Sequence, residues 1–451
     1  MKIVRDIDPY IFRGYDIRGV YPSDINSDVA YLIGRAFGSY IKGNCCVVGH
    51  DNRYSSEELT ESLIKGITES GVDVYYLGLC TTPMYYFGCL NLKIESGIMV
   101  TASHNPKDDN GFKFALENYL NAKGEEIIKF RDFVLENNFK DGQGKIFNIN
   151  IKEEYFKLMQ QSITLGDRKI KVLVDCANAT TSYFAKDLYS KFNIELEMLY
   201  DTPDSSFPNH HPDPCVTKNN EMLMKKVVEG GFDIGIGFDG DGDRVGVIDE
   251  KGNHLGIDEV MIIIARDIIK NNKDKRFVFD VKCSKALEDE IKKLGGIPIQ
   301  YRTGNSYLRN KVNKDNIPFG GEYSGHLMFN DKFMGFDSGM YAGLRMIEIL
   351  SKTSKNLSEL LDGVNKYYST EELKFNSPDD IKFEVINKLI KDYPECLTID
   401  GMKMVYDDGF ALVRASNTGP TITARFEATT RKRLDELQKE FVDKINLYNK
   451  K

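Results

Sequence analysis

One pattern of residues occurs three times along this chain and constrains its fold more than any other feature. Each copy is an apolar strand, a polar turn, an amphipathic helix and a second strand, with first strands at residues 46–49, 171–175 and 276–280. Units of this size are typical of right-handed crossovers between parallel strands. In the first copy, Ser55 and Glu58 have the spacing of a capping box at the helix start. The copies recur at roughly one domain length, so we predict an α/β fold with three similar α/β domains built on mixed sheets.

The end of the chain departs from this pattern. After residue 367 we expect a helix near 381–391, strands near 410–413 and 421–426, and a long closing helix from residue 431. This order predicts a smaller α+β C-terminal domain. The full division that we predict is 1–149, 150–253, 254–366 and 367–451.

Composition excludes several classes of partner. The formal net charge of the 451 residues is −8 and no basic stripe is present, so nucleic acid is not expected. No run approaches the ~18 apolar residues of a membrane span, and no apolar core follows residues 1–6 as in a signal peptide. The eight cysteines lack a CxxC pair, which predicts reduced, packed thiols. We therefore expect a cytoplasmic protein with no membrane association.

Each of the three α/β repeats carries one unusual polar loop. The loops are residues 101–106 in the first repeat, 239–244 in the second and 320–326 in the third. Ligands of open α/β sheets bind outside the carboxyl ends of the strands. If the three repeats are arranged alike, their loops can face one shared cleft.

The loop at residues 239–244 points to a metal ion. Asp239, Asp241 and Asp243 alternate with glycines, so in an extended run they would lie on one side of the chain. Carboxylates this close repel each other unless a cation lies among them, and hard divalent cations prefer such oxygen ligands. Glu250 falls at the twelfth position of a calcium loop, but Arg244 stands where that loop requires glycine. A purely structural run of turn aspartates is the remaining alternative.

Ser103 is the candidate for a further ligand oxygen. It follows the apolar strand 97–100 in a polar turn that ends at Pro106, and we expect it to be exposed. The turn lacks the G-x-S-x-G frame of a hydrolase, and an ordinary turn serine is the simpler alternative. A phosphorylated serine, however, would carry up to about two negative charges and three acceptor oxygens, which makes it a strong ligand for a divalent ion.

Six motifs in this order resemble one known family. They are F-R-G-Y-D-I-R-G at 12–19, T-A-S-H-N-P at 101–106, N-G-F-K at 110–113, D-G-D-G-D-R at 239–244, G-E-Y-S-G-H at 321–326 and R-A-S-N-T at 414–418. Together they resemble the α-D-phosphohexomutase superfamily. The segment 207–214 and the G-E-Y-S-G-H loop are most similar to its bacterial phosphomannomutase/phosphoglucomutase group. The resemblance implies four domains around a central cleft.

The resemblance also implies an activity. Ser103 would carry a phosphoryl group, and one Mg²⁺ would be held by that group and by Asp239, Asp241 and Asp243. The enzyme would interconvert hexose 1-phosphate and hexose 6-phosphate, of mannose or glucose or both, through a hexose 1,6-bisphosphate that also serves as activator. The sugar phosphate would be its partner, and nothing in the sequence selects between a monomer and a homodimer.

The motifs supply candidate residues for each role. Arg18 and Arg244 can stabilise charge that develops in phosphoryl transfer. Lys113 is a candidate acid, base or electrostatic partner, and His104 and His326 are the histidines inside motifs, with His326 able to move a proton. The resemblance assigns sugar and phosphate binding to these residues: Tyr15, Arg302, Asn305, Glu322, Ser324, Arg414, Ser416, Asn417 and Thr418.

One departure from the group concerns specificity. Asn305 stands where a histidine is typical, and Arg302 and Arg309 stand where lysines are common, so any proton role of that histidine is in doubt here. Glu322 and Ser324 would read the 3- and 4-hydroxyls that glucose and mannose share, which favours dual specificity. The alternatives are a phosphoglucosamine mutase, a non-catalytic sugar-phosphate-binding homologue and a simple phosphatase.

Overall fold

The computed structural model describes residues 7–416 and 419–450. The chain divides into two compact units. The first comprises Met1–Ile257 with Ser324–Leu360, and the second comprises Asp258–Tyr323 with Leu361–Lys451. Within the described ranges, no helix is both long enough and apolar enough to cross a membrane.

The chain alternates strands and helices up to about residue 351 and then changes to an antiparallel tail. The strands are β1 Ile17–Val20, β2 Cys45–His50, β3 Asp73–Leu79, β4 Gly97–Val100, β5 Asp109–Ala115, β6 Ile146–Asn148, β7 Lys171–Asp175, β8 Glu195–Leu199, β9 Ile234–Phe238, β10 Val245–Asp249, β11 Arg276–Asp280, β12 Ile297–Tyr301, β13 Phe319–Gly321, β14 Leu327–Phe329, β15 Tyr368–Ser369, β16 Leu373–Asn376, β17 Met402–Tyr406, β18 Gly409–Ala415 and β19 Thr421–Ala428. The helices are α1 Ser27–Tyr40, α2 Ser56–Glu69, α3 Thr82–Leu92, α4 Glu125–Glu136, α5 Lys152–Ser162, α6 Ala185–Tyr189, α7 Glu221–Gly230, α8 Ile257–Asn271, α9 Lys285–Lys293, α10 Asn305–Lys314, α11 Gly339–Ser351, α12 Asp379–Asp392 and α13 Arg431–Tyr448.

The three repeats fold as predicted. β2 is parallel to β3, β7 to β8, and β11 to β12. The first sheet has the order β1-β5-β4-β2-β3-β6, in which β1 and β5 are antiparallel to each other and β4 is antiparallel to β5. The second has the order β10-β9-β7-β8 with β10 antiparallel to β9. These mixed sheets confirm the α/β class.

The tail forms the smaller α+β domain that the sequence predicts. β17, β18 and β19 pair antiparallel, and β15 and β16 both pair with β19. One face of this sheet packs against α12 and α13, where Leu389, Phe426 and Phe441 are buried in one apolar cluster. The four domain bounds given above stay a prediction.

The predicted capping box at the start of α2 is wrong. Ser55 is the N-cap residue, but its side chain makes no capping hydrogen bond; instead its Oγ accepts from Asn110 Nδ2 at 2.8 Å. The Glu58 carboxylate accepts hydrogen bonds from the Tyr21 and Ser27 hydroxyls. Both side chains are engaged by other elements, so neither is available for the reciprocal cap.

Lys403 in the second unit predicts a pH dependence of stability. Its Nζ donates to Val281 O at 2.8 Å and Gln300 Oε1 at 3.1 Å, and it lies over the Phe410 ring. Burial lowers the pKa of Lys403 to about 8, whereas the unfolded chain keeps an ordinary lysine pKa of ~10.4. Between these two values the unfolded state binds more protons, so this group adds stability as pH rises from about 8.

The variant Lys403→Met should lack that alkaline gain. Urea unfolding at pH 7, 8.5 and 10 should show the stability of wild type rising relative to the variant by up to about 3 kcal/mol. Lys439→Met, at an exposed position on α13, is the control and should follow wild type at every pH. A difference between Lys403→Met and wild type that is independent of pH would contradict the prediction.

Candidate active site

The three aspartates of the metal motif lie in the hairpin turn between β9 and β10. Val245 pairs with Phe238, so residues 239–244 close a tight loop. One carboxylate oxygen from each of Asp239, Asp241 and Asp243 lies within 4.8 Å of the others, and all three side chains are fully buried. The predicted convergence is therefore confirmed. Its cause is different, because a turn rather than strand alternation brings the side chains together.

The electrostatics of this cluster favour a bound cation. Burial and the neighbouring carboxylates of Asp243 and Asp241 raise the pKa of Asp239 well above its ordinary value. Asp241 Oδ1 and Asp243 Oδ1 are buried without a hydrogen-bond partner. Buried carboxylate oxygens without a donor are costly unless a positive charge satisfies them. The residues therefore fit a divalent metal ion with oxygen ligands.

Lys113 and Thr82 donate hydrogen bonds to the carboxylates of this cluster. Lys113 Nζ donates to Asp241 Oδ2 and to Asp243 Oδ2, both at 2.7 Å. Thr82, the first residue of α3, donates to Asp241 Oδ2 at 2.6 Å from its hydroxyl and to Asp241 O at 2.9 Å from its backbone N–H. Burial alone would raise the pKa of Asp241, but the Lys113 ammonium and the Thr82 hydroxyl hold it well below its usual range. These donors leave Oδ1 of Asp241 and Oδ1 of Asp243 without a hydrogen bond, and His326 Nδ1 lies 3.5 Å from Asp243 Oδ1.

Ser103 faces this cluster from the turn after β4. Its Oγ donates to Asp239 Oδ2 at 2.8 Å and lies 3.4 Å from His104 Nδ1. The expectation that Ser103 is exposed is wrong, because its exposed fraction is 2%. The metal loop covers it: a Cβ on Gly240 would lie 2.2 Å from Ser103 O. Serine, aspartates and Lys113 thus form one buried site.

Arg244 and His326 lie beside the same carboxylates. Arg244 N donates to Asp239 Oδ1 at 3.1 Å, and Arg244 Nε donates to His326 Nε2 at 3.0 Å. Because a guanidinium only donates, His326 Nε2 accepts, and Nδ1 carries the proton that is donated to Asp337 Oδ2 at 2.6 Å. Asp337 thereby fixes the tautomer of His326, and His326 in turn orients Arg244.

Arg18, Tyr15 and Ser324 are three further predicted site residues in the first unit. Arg18 Nη1 donates to Asn105 Oδ1 at 2.7 Å, so its guanidinium lies against the Ser103 turn, where Asp16 also pairs with it. Tyr15 is half-buried in the turn before β1. Ser324 is half-buried, and its backbone oxygen accepts from Cys215 Sγ at 3.0 Å. Arg18 therefore hydrogen-bonds the Ser103 turn directly.

The second unit brings together another group of the predicted residues. Arg414 at the end of β18 pairs with Asp400 Oδ2 at 2.7 Å, and the same oxygen accepts from Thr303 N at 2.9 Å. Gly304 N, just before Asn305, donates to Glu322 Oε1 at 3.0 Å. Glu322, a predicted sugar ligand, thus contacts the loop of residues 302–305 directly, and Arg414, a predicted phosphate ligand, contacts it through Asp400.

Arg302 and Asn305 of that group belong to the loop of residues 302–305 itself. Arg302 stacks 3.9 Å from the Tyr307 ring centroid, and Asn305 is the first residue of α10. Ser416 O accepts from Lys382 Nζ at 2.7 Å. Asn417 and Thr418 lie outside the described residues.

Comparison with known proteins assigns the chain to a family. Four family models match in succession: phosphoglucomutase/phosphomannomutase alpha/beta/alpha domain I at residues 9–140, domain II at 153–252, domain III at 257–367 and the C-terminal domain at 372–444. The chain belongs to the phosphoglucomutase/phosphomannomutase family. This confirms the superfamily that the six motifs indicated.

Relatives in this family match almost the whole chain. A phosphomannomutase/phosphoglucomutase of Pseudomonas syringae is 40% identical over 438 residues, covering 96% of this chain and 94% of the relative. A phosphoglucomutase of Neisseria meningitidis is 38% identical over 451 residues, covering 98% and 96%. The crystal structure of a phosphoglucomutase/phosphomannomutase family protein from Burkholderia thailandensis superposes with a TM-score of 0.91 at 35% identity and 98% coverage of both chains.

Proposed function

We propose that this protein is a phosphohexomutase that interconverts hexose 1-phosphate and hexose 6-phosphate through a phosphorylated Ser103 and a hexose 1,6-bisphosphate. The observation that carries the proposal is the position of Ser103 Oγ, 2.8 Å from Asp239 Oδ2, beside two further buried aspartates that each have one oxygen without a hydrogen bond. A serine in that position can pass a phosphoryl group into and out of a site built for a cation. The presence of all four residues argues against a non-catalytic homologue.

Asp239, Asp241 and Asp243 would hold the metal, with a phosphoryl oxygen on Ser103 as a further ligand. Mg²⁺ suits such a site because it takes about six oxygen ligands and is often held by carboxylates together with substrate phosphates. When bound, it would polarise the phosphoryl oxygens and neutralise their charge.

The side chains around Ser103 supply the rest of the chemistry. In the forward step a sugar hydroxyl attacks phosphorus, the bond between phosphorus and Ser103 Oγ breaks, and a proton moves overall from the hydroxyl to Oγ. Lys113, Arg244 and Arg18 would stabilise the charge of the transferring group. The second step reverses these bond changes at the other phosphate of the bisphosphate.

His104 is the better placed of the two candidate proton carriers. Burial and the neighbouring Arg244 guanidinium hold the pKa of His104 well below its ordinary value, so its imidazole is neutral. Negative charge of a phosphoryl group on Ser103 would raise this pKa and favour proton transfer to His104. Its Nδ1 lies 3.4 Å from Ser103 Oγ. His326 has both ring nitrogens engaged, and would have to release Arg244 before moving a proton.

Further residues would recognise the sugar and the phosphate that is not transferred. Arg414 can bind a phosphate bidentately, together with Ser416, Asn417 and Thr418, and Glu322 would accept hydrogen bonds from sugar hydroxyls with Ser324. Tyr15, Arg302 and Asn305 complete the proposed set.

The eight cysteines are free thiols, which supports a reducing cytoplasmic location.

The sugar specificity is proposed to be dual. Phosphorus NMR of glucose 1-phosphate and mannose 1-phosphate, each with Mg²⁺ and catalytic glucose 1,6-bisphosphate, should show conversion of both to the 6-phosphates. The two values of kcat/KM should differ by less than about a thousandfold, or about 4 kcal/mol, because the shared 3- and 4-hydroxyls dominate recognition. A larger ratio would refute dual specificity. Conversion of neither sugar would refute the mutase proposal, and faster conversion of glucosamine 1-phosphate would favour the phosphoglucosamine alternative.

A further inference from the structure

The backbone of Ser103 adopts a conformation that the residue itself disfavours. Its φ is +52°, in the left-handed region that non-glycine residues rarely occupy. Such a conformation persists only where the surrounding structure fixes it. It also aims Oγ at Asp239, 2.8 Å away. What holds this peptide therefore determines whether the serine faces the metal ligands.

Arg53 holds it. Arg53 follows β2, is 3% exposed, and directs its guanidinium into the turn that contains Ser103. Its Nη2 donates to Ser103 O and Asn105 O, both at 2.7 Å. Its Nη1 donates to Pro106 O at 2.6 Å and to Asp109 O at 2.9 Å. The four N–H groups of the two terminal nitrogens thus meet four carbonyls of one turn.

Neighbouring residues contact Arg53 on both sides. Asp51 Oδ2 pairs with Arg53 Nε at 3.3 Å, and Asp51 Oδ1 accepts from Arg53 N at 3.0 Å. The Phe207 ring lies against the guanidinium, with its centroid 5.5 Å away. On the other side, Gly240 packs so closely that a Cβ there would lie 2.2 Å from Ser103 O. The Ser103 carbonyl is therefore clamped between Arg53 and the metal loop.

We propose that Arg53 is a positioning residue for phosphoryl transfer: it fixes the Ser103 carbonyl, and thereby the direction of Oγ relative to Asp239. This inference rests on the proposed function, in which Ser103 carries the phosphoryl group. No other residue type offers the same planar set of donors. Lysine would keep the charge opposite Asp51, but its three N–H groups diverge from one nitrogen and cannot serve four carbonyls.

The test compares Arg53→Lys and Arg53→Met with a matched buried arginine. Arg35 on α1 is 8% exposed and donates to Lys140 O, Asp141 and Ser70, so Arg35→Met removes a comparable buried network away from Ser103. For each variant, kcat, KM, Tm and the rate of phosphoryl uptake from glucose 1,6-bisphosphate, by rapid quench and intact mass, should be measured. We expect both Arg53 variants to lose about 100-fold or more in kcat and in the uptake rate, with KM changed less than about threefold.

Comparing variants of the two arginines should distinguish a loss of stability, seen in Tm, from a loss of Ser103 positioning, seen in kcat. Arg35→Met should lower Tm yet keep kcat near wild type, whereas Arg53→Lys should keep more of the Tm than Arg53→Met without recovering kcat. If Arg53→Met does not fold, Arg53→Gln replaces it under the same criterion. Either Arg53 variant with kcat within about threefold of wild type, or an equal kcat loss in Arg35→Met, would overturn the inference. Failure of the proposed function would appear instead as no phosphoryl uptake by wild type.

Discussion

Ser103→Ala will lose hexose phosphate interconversion by at least about a thousandfold, the scale of effect seen when a nucleophile is removed. The alanine has no oxygen to carry the phosphoryl group, whereas the three aspartates and the cationic side chains of Lys113 and Arg244 stay in place. The measurement is kcat for glucose 1-phosphate with Mg²⁺ and glucose 1,6-bisphosphate, in a coupled assay for the 6-phosphate.

Ser96→Ala is the matched control. Ser96 is a buried serine of the same domain whose hydroxyl donates to Leu116 O at 2.6 Å, and it does not contact the aspartates. Its kcat should stay within about threefold of wild type. Retention of more than about a tenth of wild-type kcat by Ser103→Ala would rule out a phosphoserine pathway.

Lys113→Met will destabilise the metal-free protein more than the metal-bound protein. The Lys113 ammonium lies 2.7 Å from both Asp241 and Asp243, and all three side chains are nearly or fully buried. Removing one partner of a buried ion pair leaves uncompensated charge and costs about 3–5 kcal/mol. A divalent cation at the aspartates binds the folded state alone and restores part of that loss. The variant should therefore gain more stability from Mg²⁺ than wild type does.

Urea unfolding in EDTA and in saturating Mg²⁺ measures both effects. Lys42→Met is the control, because Lys42 forms an exposed pair with Glu117 at 2.9 Å, and such pairs contribute little to stability. Its stability should follow wild type in both conditions. Absence of any stabilisation by Mg²⁺ would contradict a cation site at these aspartates, and equal stabilisation of Lys113→Met and wild type would contradict its coupling to Lys113.

The parts of the site that the sequence predicted are those written in contiguous motifs at strand ends. Asp239, Asp241 and Asp243 come from one turn, and Ser103 follows a single buried strand, so local spacing carried the chemical information. Parallel pairing also followed from local pattern, because an apolar strand, a helix and a second strand leave few other arrangements.

The parts that the sequence did not predict depend on contacts between distant segments. Thr82 lies 159 positions from its partner Asp241, and Arg53 lies 50 positions from Ser103; each is a single polar residue without a motif. The available signal for Arg53 was its position in the segment Asp51-Asn-Arg53, which directly follows the carboxyl end of β2. The burial of Ser103 was missed for the same reason, since the groups that cover it come from elsewhere in the chain.

The central claim is that Ser103 carries the phosphoryl group between the two phosphate positions of the sugar. The most direct measurement incubates wild type, Ser103→Ala and Ser96→Ala with glucose 1,6-bisphosphate and Mg²⁺, followed by intact mass and peptide mapping. Wild type and Ser96→Ala should each gain one phosphoryl group on the peptide that contains Ser103, and Ser103→Ala should gain none. Equal uptake by all three proteins, or uptake by wild type at another residue, would contradict the account.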